Sequence, residues 1–179
     1  MHTTVNGVTL ELTQGDIAVQ HDVQAVVNAA NAHLQMGGGV AGAIHRTAGP
    51  GLADETRPLA PIEPGEAVIT SGHNLPNAYV IHVLGPVYGR DEPSDEILRR
   101  GYQNALDLAE ANDIQRIAFP ALSTGAFGYP MDPAARVALR TMRDAAPALE
   151  SVEHIRFVLY DAHALRVHED VLEELTSES

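Results

Sequence analysis

The 179-residue chain has no cysteine, no tryptophan and no lysine, and all 11 of its basic residues are arginine. Without cysteine there is no disulfide, no thiol nucleophile, no zinc–thiolate site and no iron–sulfur cluster. Without lysine there is neither a Schiff base nor a Walker-type phosphate lysine. No stretch reaches the ~18 apolar residues of a spanning helix. The N-terminus, MHTTVNGVTLELTQGD, lacks the basic region and apolar run of a signal peptide. A soluble, cytoplasmic protein is the expectation. Cations are also scarce: 24 acids face 11 bases, giving a net charge of −13. Such a surface repels phosphate backbones and anionic membranes, so neither general nucleic-acid binding nor membrane binding is expected. A small anion held by uncharged backbone N–H groups is still compatible with that charge.

What is present fits one globular α/β domain over residues 1–175, with a frayed tail over 176–179. Strands are predicted at Val8–Thr13, Gln24–Ala29, Glu66–Ser71, Tyr79–Leu84, Arg116–Leu122 and Ile155–Tyr160. Helices are predicted over Val40–Thr47, Leu52–Ala60, a segment capped by Ser94, a segment started by Asp132-Pro133, and Ala164–Leu175. Alternation of the two implies a layered domain with a mixed, mostly parallel central sheet. The adjacent runs 66–71 and 79–84 are expected to pair antiparallel.

Two loops place small residues where the chain leaves a strand and enters a helix: NAANAHLQMGGGVAGAI and STGAFGYPMDP. Glycine allows close approach to a phosphate, and a helix N-terminus adds a favourable dipole. Two such loops side by side suit a diphosphate. Gly37, Gly39 and Gly42 match G-x-G-x-x-G, but a long loop separates them from the strand and no acid ends a second strand about 20 residues on. A Rossmann dinucleotide site is therefore rejected.

The segment VVNAANAHLQMGGGVAGAIHRTAGP closely resembles the signature of the macrodomain family of ADP-ribose-binding modules. GDI at Gly15–Ile17, GEAVITSGHNLP, YVIHVLGP, FPALSTGAFGYP and LYD at Leu159–Asp161 agree in order and spacing. The resemblance implies a three-layer α/β/α macrodomain fold. It implies that Asp16 accepts from the adenine amino group, that Ile17 offers its N–H, and that Tyr160, beside Asp161, packs on the adenine. Gly37, Gly38, Gly39, Val40, Ala41 and Ile44 would form one diphosphate rim. Ser123, Thr124, Gly125, Ala126 and Phe127 would form the other. Asn31 would bond the distal ribose and Phe127 would wall it. On their chemistry alone these residues have plainer roles: Asp16 as a helix cap, Asn28 bonding loop backbone, Tyr160 and Phe127 as core aromatics.

The chain departs from the MacroD-type hydrolase pattern at Ala41, where those proteins carry an Asp linked to catalysis, and at Met36, which replaces a Gly or His. His45 keeps the histidine one helical turn on. The implied reaction is hydrolysis of an ester at the distal ribose, on Asp- or Glu-linked mono-ADP-ribose or O-acetyl-ADP-ribose. Asn31, Gly38, Phe127 and His45 are the catalytic candidates, His45 having a structural reading too. The other class is a non-catalytic reader of ADP-ribose or ADP-ribosylated proteins. No cofactor and no metal are expected: His163 and His168 are five apart, not the i, i+4 of a helical zinc pair. A monomer is expected.

Overall fold

The computed structural model describes residues Met1–Glu178. Among them lie a seven-stranded sheet and five α-helices: β1 (His2–Val5), β2 (Val8–Gln14), β3 (Ala25–Ala29), α1 (Gly39–Ala48), α2 (Pro50–Thr56), β4 (Ala67–Ser71), β5 (Tyr79–Val83), α3 (Ser94–Ala111), β6 (Arg116–Phe119), α4 (Met131–Ala145), β7 (His154–Leu159) and α5 (Ala162–Ser177). The strand order is β1-β2-β7-β6-β3-β5-β4. The five inner strands are mutually parallel, and β1 and β4 close the two edges antiparallel. This is the mixed, mostly parallel sheet of a three-layer α/β/α domain, with 66–71 and 79–84 paired antiparallel.

Side chains alternate across the sheet and so feed two cores. Val27, Ile81, Phe119 and Phe157 face α3, α4 and α5, while Val26, Val80, Ala118 and Val158 face α1 and α2. Strands buried on both faces read as continuous apolar runs, which is why β3 and β5 stand out in the sequence.

Several boundaries differ from the sequence expectation. The polar segment HTTV gives no strand signal, yet β1 pairs with β2 along the open edge. Ser94 and Asp132 do not cap their helices. Pro93 and Pro130 hold extended backbone at the cap positions, so Ser94 lies inside α3 and its Oγ donates to Asp91 O at 2.6 Å. Asp132 sits in the first turn of α4, bonded by Arg136 Nε at 2.8 Å. Pro120 ends β6 at Phe119, three residues before Leu122. The break at 48–51 shrinks to Gly49 at φ +84, and Pro50 opens α2. At the C-terminus α5 continues through Ser177, with Thr176 and Ser177 hydroxyls donating to Leu172 and Glu174 carbonyls. Ser179 of the expected frayed tail lies outside the described residues.

Candidate ligand cleft

Because β2, β7, β6, β3 and β5 are parallel, their C-terminal ends share one edge of the sheet. The loops that leave them therefore line up in strand order: Asp16-Ile17, then Tyr160-Asp161, then 120–130, then 30–38, then Gly85–Glu92. After β3 the chain crosses to one face of the sheet, into α1, and after the neighbouring β6 it crosses to the other, into α4. That divergence is a topological switch point, where open α/β sheets form their ligand crevice.

The β3 side of the crevice is the start of α1. Gly38 holds the cap position with extended backbone and no side-chain cap, and Gly39 adopts φ +57. The N–H groups at the first turn of a helix have no internal partner, so those of Gly39, Val40 and Ala41 are open at the end of α1, beside the exposed Gly37–Gly39 segment and with no acidic residue in the first turn. Gly42 holds the rim in place: a Cβ there would stand 2.5 Å from Gly37 O. The β6 side is a folded loop. Tyr129 N–H donates to Ser123 O at 2.9 Å and Gly128 N–H to Gly125 O at 3.0 Å. The N–H groups of Gly125, Ala126 and Phe127 take no part in these bonds. Beneath, Leu122 N–H donates to the phenol oxygen of Tyr102, a residue that no motif connects with this loop.

The remaining candidates fall into two groups. Asp16 is exposed and caps a short 3-10 turn, its Oδ1 accepting Ala18 N–H at 2.9 Å, which leaves its second oxygen and the Ile17 N–H at the surface end of β2. Tyr160 is 92% exposed, so it is no core aromatic. Asp161 caps α5 through Ala164 N–H at 2.8 Å. Asn31 spans its own turn, donating to Gln35 O at 2.8 Å and accepting from Gln35 N–H at 3.2 Å. Phe127 packs half-buried on Ala30, Leu34, Ile62 and Leu84, which joins the β6 loop to the β3 loop.

Ile44, His45 and the Ser123 side chain are not on the rim. Ile44 is fully buried against the sheet, because Ala41, Ile44, His45 and Ala48 share the inward stripe of α1. His45 is 2% exposed, its Nε2 has no partner among the described residues, and burial lowers its pKa so that it is neutral. Ser123 Oγ lies buried where a Gly85 side chain would stand.

Asn28 bonds a side chain rather than loop backbone. Its Nδ2 donates to His82 Nδ1 at 3.1 Å across the β3–β5 register. An amide N–H must donate, so His82 carries its proton on Nε2 and donates to Thr70 Oγ1 at 3.0 Å, which donates onward to Ser71 O. Burial first, and His45 second, push the His82 pKa down to about 3. Among the described residues no group of three or more His, Cys, Asp or Glu is placed to hold a metal, and no helix is long and apolar enough to cross a membrane.

The architecture is thus an α/β domain with paired backbone N–H rims at its switch point. A macro domain family model matches residues 27–138. A protein named O-acetyl-ADP-ribose deacetylase from Salmonella typhimurium is 46% identical over 168 residues, covering 91% of this chain and 93% of that protein. A macro domain-containing protein of Streptomyces griseus is 42% identical over 178 residues, covering 96% and 98%. The Oceanobacillus iheyensis macrodomain with ADP superposes with a TM-score of 0.94 at 35% identity, covering 100% of this chain and 97% of that one. A Trypanosoma brucei macrodomain in complex with ADP-ribose gives 0.85 at 35% identity, covering 91% and 68%. The chain belongs to the macro domain family.

Proposed function

We propose that the protein binds ADP-ribose along this edge and hydrolyses esters of its distal ribose, O-acetyl-ADP-ribose and mono-ADP-ribosyl aspartate or glutamate. The observation that carries the reading is the pair of N–H rims on neighbouring strands β3 and β6, a lysine-free cradle of diphosphate character. The 46% identity to a named O-acetyl-ADP-ribose deacetylase supports the ester chemistry. The second oxygen of Asp16 accepts from the adenine amino group, Ile17 N–H donates to the ring, and the exposed Tyr160 covers its face. Asn31 still has one amide hydrogen and one lone pair beyond its Gln35 bonds, enough to orient a ribose against Phe127.

Catalysis then proceeds without a protein carboxylate at Ala41. His45 lies beneath the rim rather than in it. The attacking water is oriented by the substrate's own phosphate while Asn31 and Phe127 fix the ribose and the rims exclude bulk solvent. Loss of a general base costs roughly 10²–10⁴ in rate, so turnover is slow. Ala41 also favours a second reading, in which the protein recognises ADP-ribosylated proteins and releases nothing. Calorimetry with ADP-ribose, followed by single-turnover assays on a Glu-linked mono-ADP-ribosylated protein and on O-acetyl-ADP-ribose, separates them. Binding without release over hours removes the hydrolase; no binding removes both.

A further inference from the structure

The edge does not end at the distal ribose. The next loop in strand order leaves β5 and runs through Tyr88 and Gly89 into α3, and Tyr88 N–H donates to Phe127 O at 2.9 Å. Against this loop lies an open groove of about 390 Å³ lined by Tyr88, Gly89, Glu92, Ser94, Asp95 and Tyr129. Its wall and floor are two tyrosines, ring centroids 4.8 Å apart and tilted by 52°. Tyr129 is buried and Tyr88 is 49% exposed.

The charge of the groove has one sign. Glu92 and Asp95 form no ion pair among the described residues, and each accepts only one backbone N–H, from Ser94 and Glu96. The guanidinium of the same loop, Arg90, is turned onto Asp91, and that of Arg99 onto Glu96. Burial first, then the charges of Asp95, Tyr88 and Glu92, raise the Tyr129 pKa, which fits acidic groups around the phenol. Ser94 Oγ is spent on Asp91 O. An aromatic wall with unpaired carboxylates binds a cation through the ring face and through charge, and offers nothing to an anion.

We infer that this groove seats the polypeptide attached to the distal ribose and selects segments with lysine or arginine beside the modified side chain. The inference rests on the ADP-ribose reading of the neighbouring loops. In that reading the distal ribose lies between Asn31 and Phe127, so whatever is joined to it emerges one loop further along, at Tyr88. The cation stacks on Tyr88 and pairs with Glu92 and Asp95, and the segment's stem covers Tyr129.

The test uses three peptides of one length bearing ADP-ribose on glutamine, an amide that resists ester hydrolysis, flanked by lysine, by serine or by leucine. Calorimetry measures each of them, and free ADP-ribose, on the wild type, on Glu92→Gln/Asp95→Asn and on Tyr88→Ala. The expected result is about fivefold tighter binding of the lysine-flanked peptide than the serine-flanked one. That preference falls to about unity in the double variant and shrinks as salt is raised, while the affinity for free ADP-ribose, a check that the variants are folded, is unchanged. Equal binding of the three peptides, tightest binding of the leucine peptide, or a lysine preference that survives in the double variant overturns the groove and leaves ADP-ribose binding standing. Failure of free ADP-ribose to bind the wild type overturns both.

Discussion

The phenol oxygen of Tyr102, inside α3, accepts the backbone N–H of Leu122 at 3.0 Å, at the point where the chain leaves β6 for the β6 loop. The ring itself packs on Phe119 and Phe157, so Tyr102→Phe keeps the packing and deletes the acceptor, together with the O–H that donates to Pro120 O at 3.5 Å. A buried N–H left without a partner costs about 1–3 kcal/mol. Urea unfolding is expected to show a loss of that size, and calorimetry a weaker affinity for ADP-ribose as the loop loosens. Unchanged stability would mean that water replaces the phenol.

Asp16 caps its turn, and in the proposed reading it also accepts from adenine; one substitution separates the two. Asn keeps the oxygen that caps Ala18 but replaces the second oxygen with an amide that cannot accept from an amine. Asp16→Asn is expected to leave the melting temperature unchanged and weaken ADP-ribose binding by about 1–3 kcal/mol. An unchanged affinity in calorimetry places the adenine elsewhere.

The glycines of the β3 rim differ in what they tolerate. A Cβ at Gly42 meets Gly37 O, a backbone atom that moves only with the loop, whereas a Cβ at Gly38 meets nothing within 4 Å and the backbone there suits any residue. Gly42→Ala is expected to lower both stability and ADP-ribose affinity. Gly38→Glu is expected to fold normally and fail to bind, through steric block and like charge against the diphosphate. Normal ADP-ribose affinity in Gly38→Glu would move the diphosphate off this loop.

His82 makes stability pH-dependent. Its pKa is about 3 in the folded protein and near 6.5 in the unfolded chain. Between those values the unfolded chain binds the extra proton, so stability rises with pH there and is lost as pH falls from 6.5 toward 3. His45 and His168, also lowered by burial, act in the same direction. The carboxylates Glu11 and Asp22, held below their ordinary values, add stability that is full at neutral pH and is lost only as pH falls below the ordinary carboxylate range. Denaturant midpoints measured at pH 7 and pH 5 should converge in His82→Gln relative to the wild type. An identical pH slope in the variant would exclude His82 as the source.

The parts of the fold and cleft that were legible in the sequence are the local ones. Two-sided burial makes β3 and β5 continuous apolar runs, and the glycine loops are contiguous segments whose composition states their chemistry. Contacts between distant segments were not legible. Asn28 and His82 are 54 residues apart and meet only because β3 and β5 pair in one register. Tyr102 and Leu122 meet only once α3 lies on the sheet. Ile44 shows a different limit: a motif match groups it with the phosphate rim, whereas helical periodicity already assigns it, with Ala48, to the buried stripe.

That same stripe determines what a carboxylate at position 41 would do. Ala41 is the third residue of α1 and buried, and Cβ atoms tilt toward a helix N-terminus, so a longer side chain there points toward the Gly37–Gly39 rim. His45 lies one turn below on the same face, its Nε2 unpartnered among the described residues. Ala41→Asp therefore places an acceptor between the rim, where the proposed reading puts the distal ribose, and a neutral imidazole. Burying the new charge is expected to lower the melting temperature. In exchange, a water near the ribose gains a base that acts only as charge develops. The single-turnover rate on O-acetyl-ADP-ribose is then expected to rise by up to about 10²-fold while ADP-ribose affinity does not tighten. Adding His45→Ala to that variant tests the partnership: if the imidazole supports the carboxylate, the gain is cut and its pH profile shifts. If Ala41→Asp folds, binds ADP-ribose as the wild type does and gains no rate, the water is positioned without help from this face of α1.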